Sequence, residues 1–295
     1  MRTRPAAAVA VFLVMCGAAW ADPGWGIALD SKGNVYYTDL RHVWKVEPSG
    51  KKTVAVANRH THELYIDAAD NVYGEHLWYE SGRDKWWHNV WRLSPDGRLH
   101  EEVPTTEGFR KDYGFVRDRA GTMYWIRARK VIIKQETSGR TSDFAGGAES
   151  ARDGKGTSAG FDEMGVLAYG EDGNFYTVDA ADRLRRIAPD GTVTTVARGM
   201  DGRSFVARRL VSSWHYIMGV AADRDGNAYL AYLHERKLKK VGRDGKVSVV
   251  LENAGGWAPC GVTTRNGSVY VLEFRGLGDV RVRRIAADGG VTTLP

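Results

Sequence analysis

The chain repeats itself, and the repeat limits its fold more than any other feature. An opening unit reads GIALDSKGNVYYTD from Gly26, ELYIDAADNVYGEH from Glu63 and GFVRDRAGTMYWIR from Gly114. It recurs as GVLAYGEDGNFYTVD from Gly165, GVAADRDGNAYLAY from Gly219 and GVTTRNGSVYVLE from Gly261. A closing unit follows each, as in VWKVEPSGKKTVAV and LRRIAPDGTVTTVA, turning at Gly50, Gly97, Gly139, Gly191, Gly245 and Gly289. Each unit is two short runs rich in Val, Ile, Tyr and Thr around a polar turn whose Gly or Asn tolerates the positive φ of a tight hairpin. Two hairpins per copy predict a four-stranded antiparallel sheet of roughly 45 residues, the size of one propeller blade. Such a sheet is apolar on both faces and is not stable alone. Six of them packed radially predict an all-β chain, a six-bladed β-propeller over residues 22–295.

The repeat resembles the NHL type. The stretch FAGGAESARDGKGTSAGF, residues 144–161, leading into GVLAYGEDGNFYTVD and LRRIAPDGTVTTVA, is similar to that family's most typical form. The resemblance covers nearly all of residues 24–295 and implies six blades; more broadly, the chain is similar to the gluconolactonase-like propeller superfamily. A seven-bladed ring lacks a seventh copy, and a WD40-type ring lacks its Gly-His and Trp-Asp signatures. The copies begin at the innermost strand of blade 1 and end at the outermost strand of blade 6. No spare strand is left to close the ring by hydrogen bonding, so the first and last blades are expected to meet by face packing, as the weakest joint.

Residues 1–21 stand apart. Arg2 and Arg4 precede an apolar run from Ala6 to Ala19, and Ala19-Trp20-Ala21 reads as a small-x-small cleavage site. That is the layout of a secretory signal peptide, and the run is short for a membrane span. The expectation is a secreted or periplasmic protein with no transmembrane segment after cleavage. The chain has 42 Lys and Arg against 36 Asp and Glu; without Arg2 and Arg4 the balance is 40 to 36, a net of +4. The charges are interspersed, which argues against nucleic acid as a partner. Cys260 is then the sole cysteine and has no internal disulfide partner, so stability must come from burial. In GGWAPCGV it reads as a small buried residue.

In a propeller, the link into each innermost strand and the link between the second and third strands share the face around the channel mouth. Those links are the long ones here: residues 103–113, 145–164 and 198–218 before blades 3, 4 and 5, and 76–89 within blade 2. Long loops on one face of a rigid ring point to ligand binding there rather than to scaffold needs. The same face collects His60 and His62 before blade 2, His76 at the end of its second strand, His88 in its Trp-rich insertion, and His215 and His234 around blade 5. His62-Glu63 lacks the second histidine of a zinc-peptidase helix. Neutral imidazole and carboxylate suit zinc. His62, Glu63, His76, His215 and His234 therefore form a candidate set for one divalent cation, zinc or calcium, against the plainer reading of polar loop histidines.

Five residues after each opening turn stand Asp39, His76, Arg127, Asp179, Tyr232 and Glu273. An Asp there ties down the following loop by accepting backbone hydrogen bonds. Departures from a repeat are better functional candidates than residues that obey it. Trp78, Trp86 and Trp87 occupy no repeat position, and Trp214 and Tyr216 lie in the link entering blade 5. Aromatic faces suit a sugar ring, an apolar group or a cation. The candidate ligand-binding residues are Trp78, Trp86, Trp87, Arg127, Trp214, Tyr216, Tyr232 and Glu273.

Two function classes stay open, because fold alone decides little. One is a propeller that binds a protein partner or small-molecule ligand on its mouth face. The other is a metal-dependent hydrolase, lactonase or lyase with a divalent cation at the mouth. The gluconolactonase type holds one divalent cation in the channel and carries Glu at the start of its first inner strand; Trp25-Gly26-Ile27 has no acid there. Peptidyl-hydroxyglycine-lyase-like propellers draw histidine ligands from several blades, and blades 3, 4 and 6 here supply none. The Trp-Phe-Thr-Glu-type repeat of streptogramin-lyase-like propellers is absent. No catalytic serine or cysteine arrangement is legible.

Overall fold

The computed structural model describes residues 23–108, 112–200, 217–276 and 278–295. Blade 1 consists of β1 (Ile27–Leu29), β2 (Val35–Thr38), β3 (His42–Val46) and β4 (Lys52–Ala57). Blade 2 consists of β5 (Leu64–Ile66), β6 (Val72–Glu80), β7 (Lys85–Leu93) and β8 (Leu99–Glu107). Blade 3 holds β9 (Asp112–Arg117), β10 (Met123–Arg127), β11 (Val131–Gln135) and β12 (Thr141–Gly146). A short strand, β13 (Gly154–Lys155), precedes blade 4, which is β14 (Met164–Tyr169), β15 (Phe175–Asp179), β16 (Arg183–Ile187) and β17 (Thr192–Ala197). Blade 5 is β18 (Ile217–Ala222), β19 (Ala228–Tyr232), β20 (Lys237–Val241) and β21 (Val247–Glu252). Blade 6 is β22 (Ala258–Arg265), β23 (Ser268–Gly276), β24 (Asp279–Ile285) and β25 (Val291–Thr293).

Strands pair in chain order within every blade, antiparallel throughout. The first strands β1, β5, β9, β14, β18 and β22 neighbour one another in turn, and β22 returns to β1. This is the six-bladed propeller that the repeat predicts. The first hairpin turns are built as the Asp-containing repeat suggests. Asp30 accepts the backbone N–H of Lys32 and Asn34 at 3.0 and 2.8 Å, and the Tyr36 hydroxyl at 3.4 Å. Asp67, Asp118 and Asp223 do the same for Tyr73, Tyr124 and Tyr229 and their own turns. Blade 6 uses another solution. Its Asn266-Gly267 turn has φ of 51° and 76°, the doubly positive pattern of a two-residue hairpin loop.

The glycine that opens the inner strands has a packing reason. A Cβ on Gly261 would sit 2.3 Å from the carbonyl oxygen of Trp25, and one on Gly26 would sit 2.7 Å from the amide nitrogen of Leu64. Neighbouring inner strands approach backbone to backbone around the axis, leaving no room for a side chain.

Among the described residues, blades 1 and 6 share no strand. They meet through a buried apolar cluster in which Ile27, Leu29 and Tyr37 face Cys260, Leu272, Phe274 and Val282. Similar clusters fill the joints between blades 1 and 2, 3 and 4, 4 and 5, and 5 and 6. Among the described residues, no such cluster spans blades 2 and 3. Tyr65 stacks on Tyr73 at 4.5 Å inside blade 2, and Arg117 lies 3.7 Å from Glu102 across the joint. The least apolar joint is therefore this one, and the expectation that the first–last seam is weakest is not what the packing supports.

On the face opposite the mouth, polar contacts run round the whole ring. Ser31 donates its N–H and hydroxyl to Asp70 at 2.7 and 2.5 Å, and Arg265 donates to Ser31 O at 3.2 Å. Arg224 donates to Asn266 Oδ1 at 2.8 Å and lies 3.3 Å from Glu171 Oε2; Arg119 donates to Glu171 O at 2.6 Å. With the Arg117–Glu102 pair these contacts link each blade to the next. Exposed pairs contribute little singly, but the circuit crosses the first–last seam.

Candidate functional site

The inner strands enclose a channel of about 260 Å³ lined by Ile27, Tyr65, Phe115, Val166, Met218 and Val262, among others. Its walls are largely aliphatic and aromatic because these inner strands are buried on both faces. Its carboxylates are few. Glu63 belongs to the mouth-side link before β5, and Glu171 to the turn between β14 and β15 on the opposite face.

The mouth is most elaborated at blade 2. Strands β6, β7 and β8 have nine residues each, whereas their counterparts in blades 1, 3, 4 and 5 have four to six. Four extra residues raise the hairpin by roughly 13 Å at the rise of a β-strand. Pairing of Trp78 with Trp87, Tyr79 with Trp86 and Glu80 with Lys85 fixes which side chains share a face. Val72, Trp91 and Leu93 pack against Tyr36, Val43 and Val56, so their face turns toward blade 1. Alternation puts His76, Trp78, Trp87, Glu80 and Lys85 on that same face. There His76 stacks on Trp78 at 4.6 Å, Trp87 Nε1 donates to Glu80 at 2.9 Å, and Lys85 pairs with Glu107 at 2.7 Å. Trp86 and Tyr79 lie on the other face, 5.2 Å apart and exposed.

At the foot of this hairpin the link before β5 brings histidines together. Trp25 N and Gly26 N both donate to His62 O, at 2.8 and 2.7 Å, fastening the link to blade 1. Thr38 and Thr61 hydroxyls hold it further, donating to Thr61 O and Glu75 O at 2.8 and 2.7 Å. His62 is thereby buried, with its Nδ1 3.7 Å from Glu75 Oε1 and its Nε2 3.4 Å from His60 Nε2. The Trp25 ring lies 5.4 Å from the His62 ring. His76 accepts the backbone N–H of His60 at its Nδ1, 2.9 Å away. Burial, together with the Arg59 charge, pushes its pKa down to about 4, so it is a neutral acceptor at ordinary pH.

The sequence candidates fall into distinct places. Trp78 and Trp87 form one platform and Trp86 stands behind it. Arg127 is exposed and donates to Asp143 at 2.9 Å. Tyr232 is fully buried, its hydroxyl 3.4 Å from Met200 O. Glu273 is fully buried between Arg281 and Arg283 at 2.5 Å each, with Asn253 donating to it at 2.7 Å. Tyr232 and Glu273 therefore hold their own blades together and present nothing at the surface. Asp39 and Asp179 behave as loop-tying acceptors: Asp39 takes the N–H groups of Arg41 and His42, and Asp179 those of Asp162 and Glu163. Trp214, His215 and Tyr216 lie outside the described residues. His234 is exposed in the β19–β20 link of blade 5, while His62 and Glu63 belong to blade 2. Cys260 is buried, and burial pushes its thiol pKa up, as its sequence context suggested.

One long link proves to be scaffold. Residues 145–164 fold back so that β13 pairs with β17 as a fifth, outer strand of blade 4. Phe161 and Ala159 enter the core, and buried Arg185 donates to Gly160 O and Arg152 O at 3.2 and 2.8 Å. Much of the link before blade 3 is strand β8 itself. Glu75, Glu80 and Glu107 join the site through strand pairing, and the lengthened β6–β7 pattern was the signal for Glu80.

Among the described residues, no three His, Cys, Asp or Glu side chains converge on a point suited to a metal ion. Calcium takes six to eight oxygen ligands, and the channel wall with Glu63 and Glu171 at opposite rims does not supply them.

Neither a protein-family model nor a curated protein matches the sequence. Solved structures do match in shape. A gluconolactonase from Xanthomonas campestris has a TM-score of 0.58 at 15% identity, over 93% of this chain and 88% of that one. A catalytically inactive virginiamycin B lyase from Staphylococcus aureus, crystallised with quinupristin, has a TM-score of 0.54 at 14% identity, over 93% and 85%. Regucalcin from Agrobacterium tumefaciens, a calcium-binding protein, has a TM-score of 0.55 at 13% identity, over 88% and 85%. At these identities the likeness establishes the fold alone: the chain is a six-bladed β-propeller, similar in shape to these propeller proteins.

Proposed function

We propose that the protein is a binding propeller whose raised blade 2 hairpin takes a saccharide on the Trp78–Trp87 face. The observation that supports this most is the cross-strand pairing of these two indoles with Glu80, Lys85 and Glu107 around them. A sugar ring offers an apolar C–H face and a rim of hydroxyls. It matches an aromatic platform bordered by both acceptors and a donor better than a purely apolar or cationic ligand does. Export fits this reading: the Arg2/Arg4 start, apolar run and small-x-small site of residues 1–21 support secretion or a periplasmic location, where soluble glycans are met. The resemblance of the repeat to the NHL type supports a binding rather than a catalytic use of the mouth.

The test is fluorescence titration of the purified protein with cello-, chito-, malto- and xylo-oligosaccharides. Saturable quenching or enhancement with at least one series is expected, lost in Trp78→Ala and Trp87→Ala and kept in Trp86→Ala. No response to any series, or equal loss in all three variants, overturns the reading.

A further inference from the structure

We propose that Trp257, Arg275 and Arg281 of blade 6 form a receptor at the mouth for one singly charged oxyanion, a carboxylate or a sulfate ester. The inference does not depend on saccharide binding at blade 2; the two places share no residue. Three observations carry it. First, the charges do not cancel. Glu273 is fully buried and accepts from both Arg281 and Arg283 at 2.5 Å, and Asp279 accepts from Arg275 at 2.7 Å. Three guanidiniums thus face two carboxylates, an excess of one positive charge. Glu252, next to Asn253, is already paired with Lys237 at 3.4 Å. Arg281 is partly withdrawn from water, where an uncompensated cation is costly and an arriving anion offsets that cost. Second, the guanidiniums are held in place. Those of Arg275 and Arg281 lie 4.7 and 4.2 Å from the centre of the Trp257 ring. A planar fork fixed against an indole loses little freedom when it binds. Third, the outer ends of both forks are open. Arg275 and Arg281 each commit Nε to a carboxylate; among the described residues, their Nη atoms and Trp257 Nε1 have no hydrogen-bond acceptor. Arg283, by contrast, is committed to both Glu273 and Asn253.

All three residues lie at the mouth. Trp257 ends the link entering β22, and Arg275 and Arg281 flank the link between β23 and β24. Glu273, cross-strand partner of Arg281, alternates with Val269 and Val271, which pack on Ala231 and Leu238 of blade 5. This face therefore turns toward blade 5, away from blade 1 and the Trp78–Trp87 platform. A guanidinium fork matches two oxygens of a carboxylate or of a sulfate, and the indole N–H supplies a further donor. One excess charge suits a monoanion better than a dianionic phosphate ester.

The experiment is native affinity electrophoresis of the full chain through gels holding polygalacturonate, dextran sulfate or plain dextran. Retardation by at least one polyanion beyond that in dextran is expected, and which one retards names carboxylate or sulfate. Binding should weaken about tenfold in Arg275→Ala and in Arg281→Lys, the loss of one charge-assisted hydrogen bond. Arg281→Lys keeps a cation beside Glu273, and circular dichroism checks that the blade stays folded. Arg98→Ala removes an equal charge from an exposed turn on the opposite face, and Trp78→Ala removes the saccharide platform; both should bind the polyanion as wild type does. The proposal is overturned if neither polyanion retards the chain more than dextran, or if the Arg275→Ala/Arg281→Lys double variant binds as wild type does. It is also overturned if Arg98→Ala loses as much as Arg275→Ala, the mark of general attraction to a basic chain.

Discussion

Arg117 of blade 3 holds its guanidinium 5.4 Å from the centre of the Tyr73 ring of blade 2. This contact and the Arg117–Glu102 pair stand where the other five joints have buried aliphatic clusters. Tyr73 is buried, and a cation over an aromatic ring contributes up to about 2 kcal/mol when desolvated; one such contact is less than a joint gains by burying several Val, Leu and Ile side chains. Native-state hydrogen exchange in low denaturant is expected to open β5 and β9 before β1 and β22. Earlier exchange at β1 and β22 would restore the first–last seam as the weak point.

The seam itself is tightest at Gly261. A methyl group there meets the Trp25 carbonyl oxygen at 2.3 Å, a backbone atom that moves only with its strand. Gly261→Ala should cost about 1–3 kcal/mol, the range for overpacking, read as a lower urea midpoint with unchanged slope. A midpoint equal to wild type would show that blades 1 and 6 do not pack this closely.

Glu273 tests burial of charge. It is fully buried, with Arg281 and Arg283 as partners. Removing one member of such a group leaves cations uncompensated, and Glu273→Ala is expected to destabilise by about 3–5 kcal/mol. The exposed Arg127–Asp143 pair is the control: Arg127→Ala should cost less than about 1 kcal/mol. Equal effects would contradict the assignment of Glu273 to the scaffold.

Acid sensitivity follows from the loop-tying aspartates. Burial raises the Asp39 pKa, but the Trp44 indole N–H and the backbone N–H groups of His42 and Arg41 outweigh it and hold the value below the ordinary 3.8. Arg183 lowers Asp162 in the same sense. A folded value below the unfolded one gives stability that is complete above the unfolded value and is lost as pH falls through the folded value. Thermal midpoints of wild type and Asp39→Asn should therefore differ above about pH 4 and converge as pH falls below it. Parallel curves would refute the role given to Asp39.

The blades were legible because turn chemistry and apolar alternation are local. Asp30, Asp67 and Asp223 each bind the N–H groups and tyrosine of their own hairpin, so the sequence repeats wherever the structure does. The site was legible only in part. Trp78 and Trp87 stood out as departures from the repeat, but which of the nearby indoles share a face depends on the β6–β7 register. Tyr232 and Glu273 departed from the repeat for a different reason: each is buried, Tyr232 with its hydroxyl near Met200 O and Glu273 against Arg281 and Arg283 of the adjoining strand. Residues 145–164 look like a ligand loop by length and glycine content, yet Phe161 and Arg185 draw them onto blade 4. No local pattern reports such long-range burial.

The most direct test of mouth-face binding labels the tryptophans with 5-fluorotryptophan and follows ¹⁹F resonances, assigned by single substitution, during titration with the best-bound oligosaccharide. Shifts confined to Trp78 and Trp87, with Trp86 and buried Trp91 unmoved, are the expected result. Shifts at Trp86 without Trp78 and Trp87, or none at any of them, would contradict a binding face turned toward blade 1.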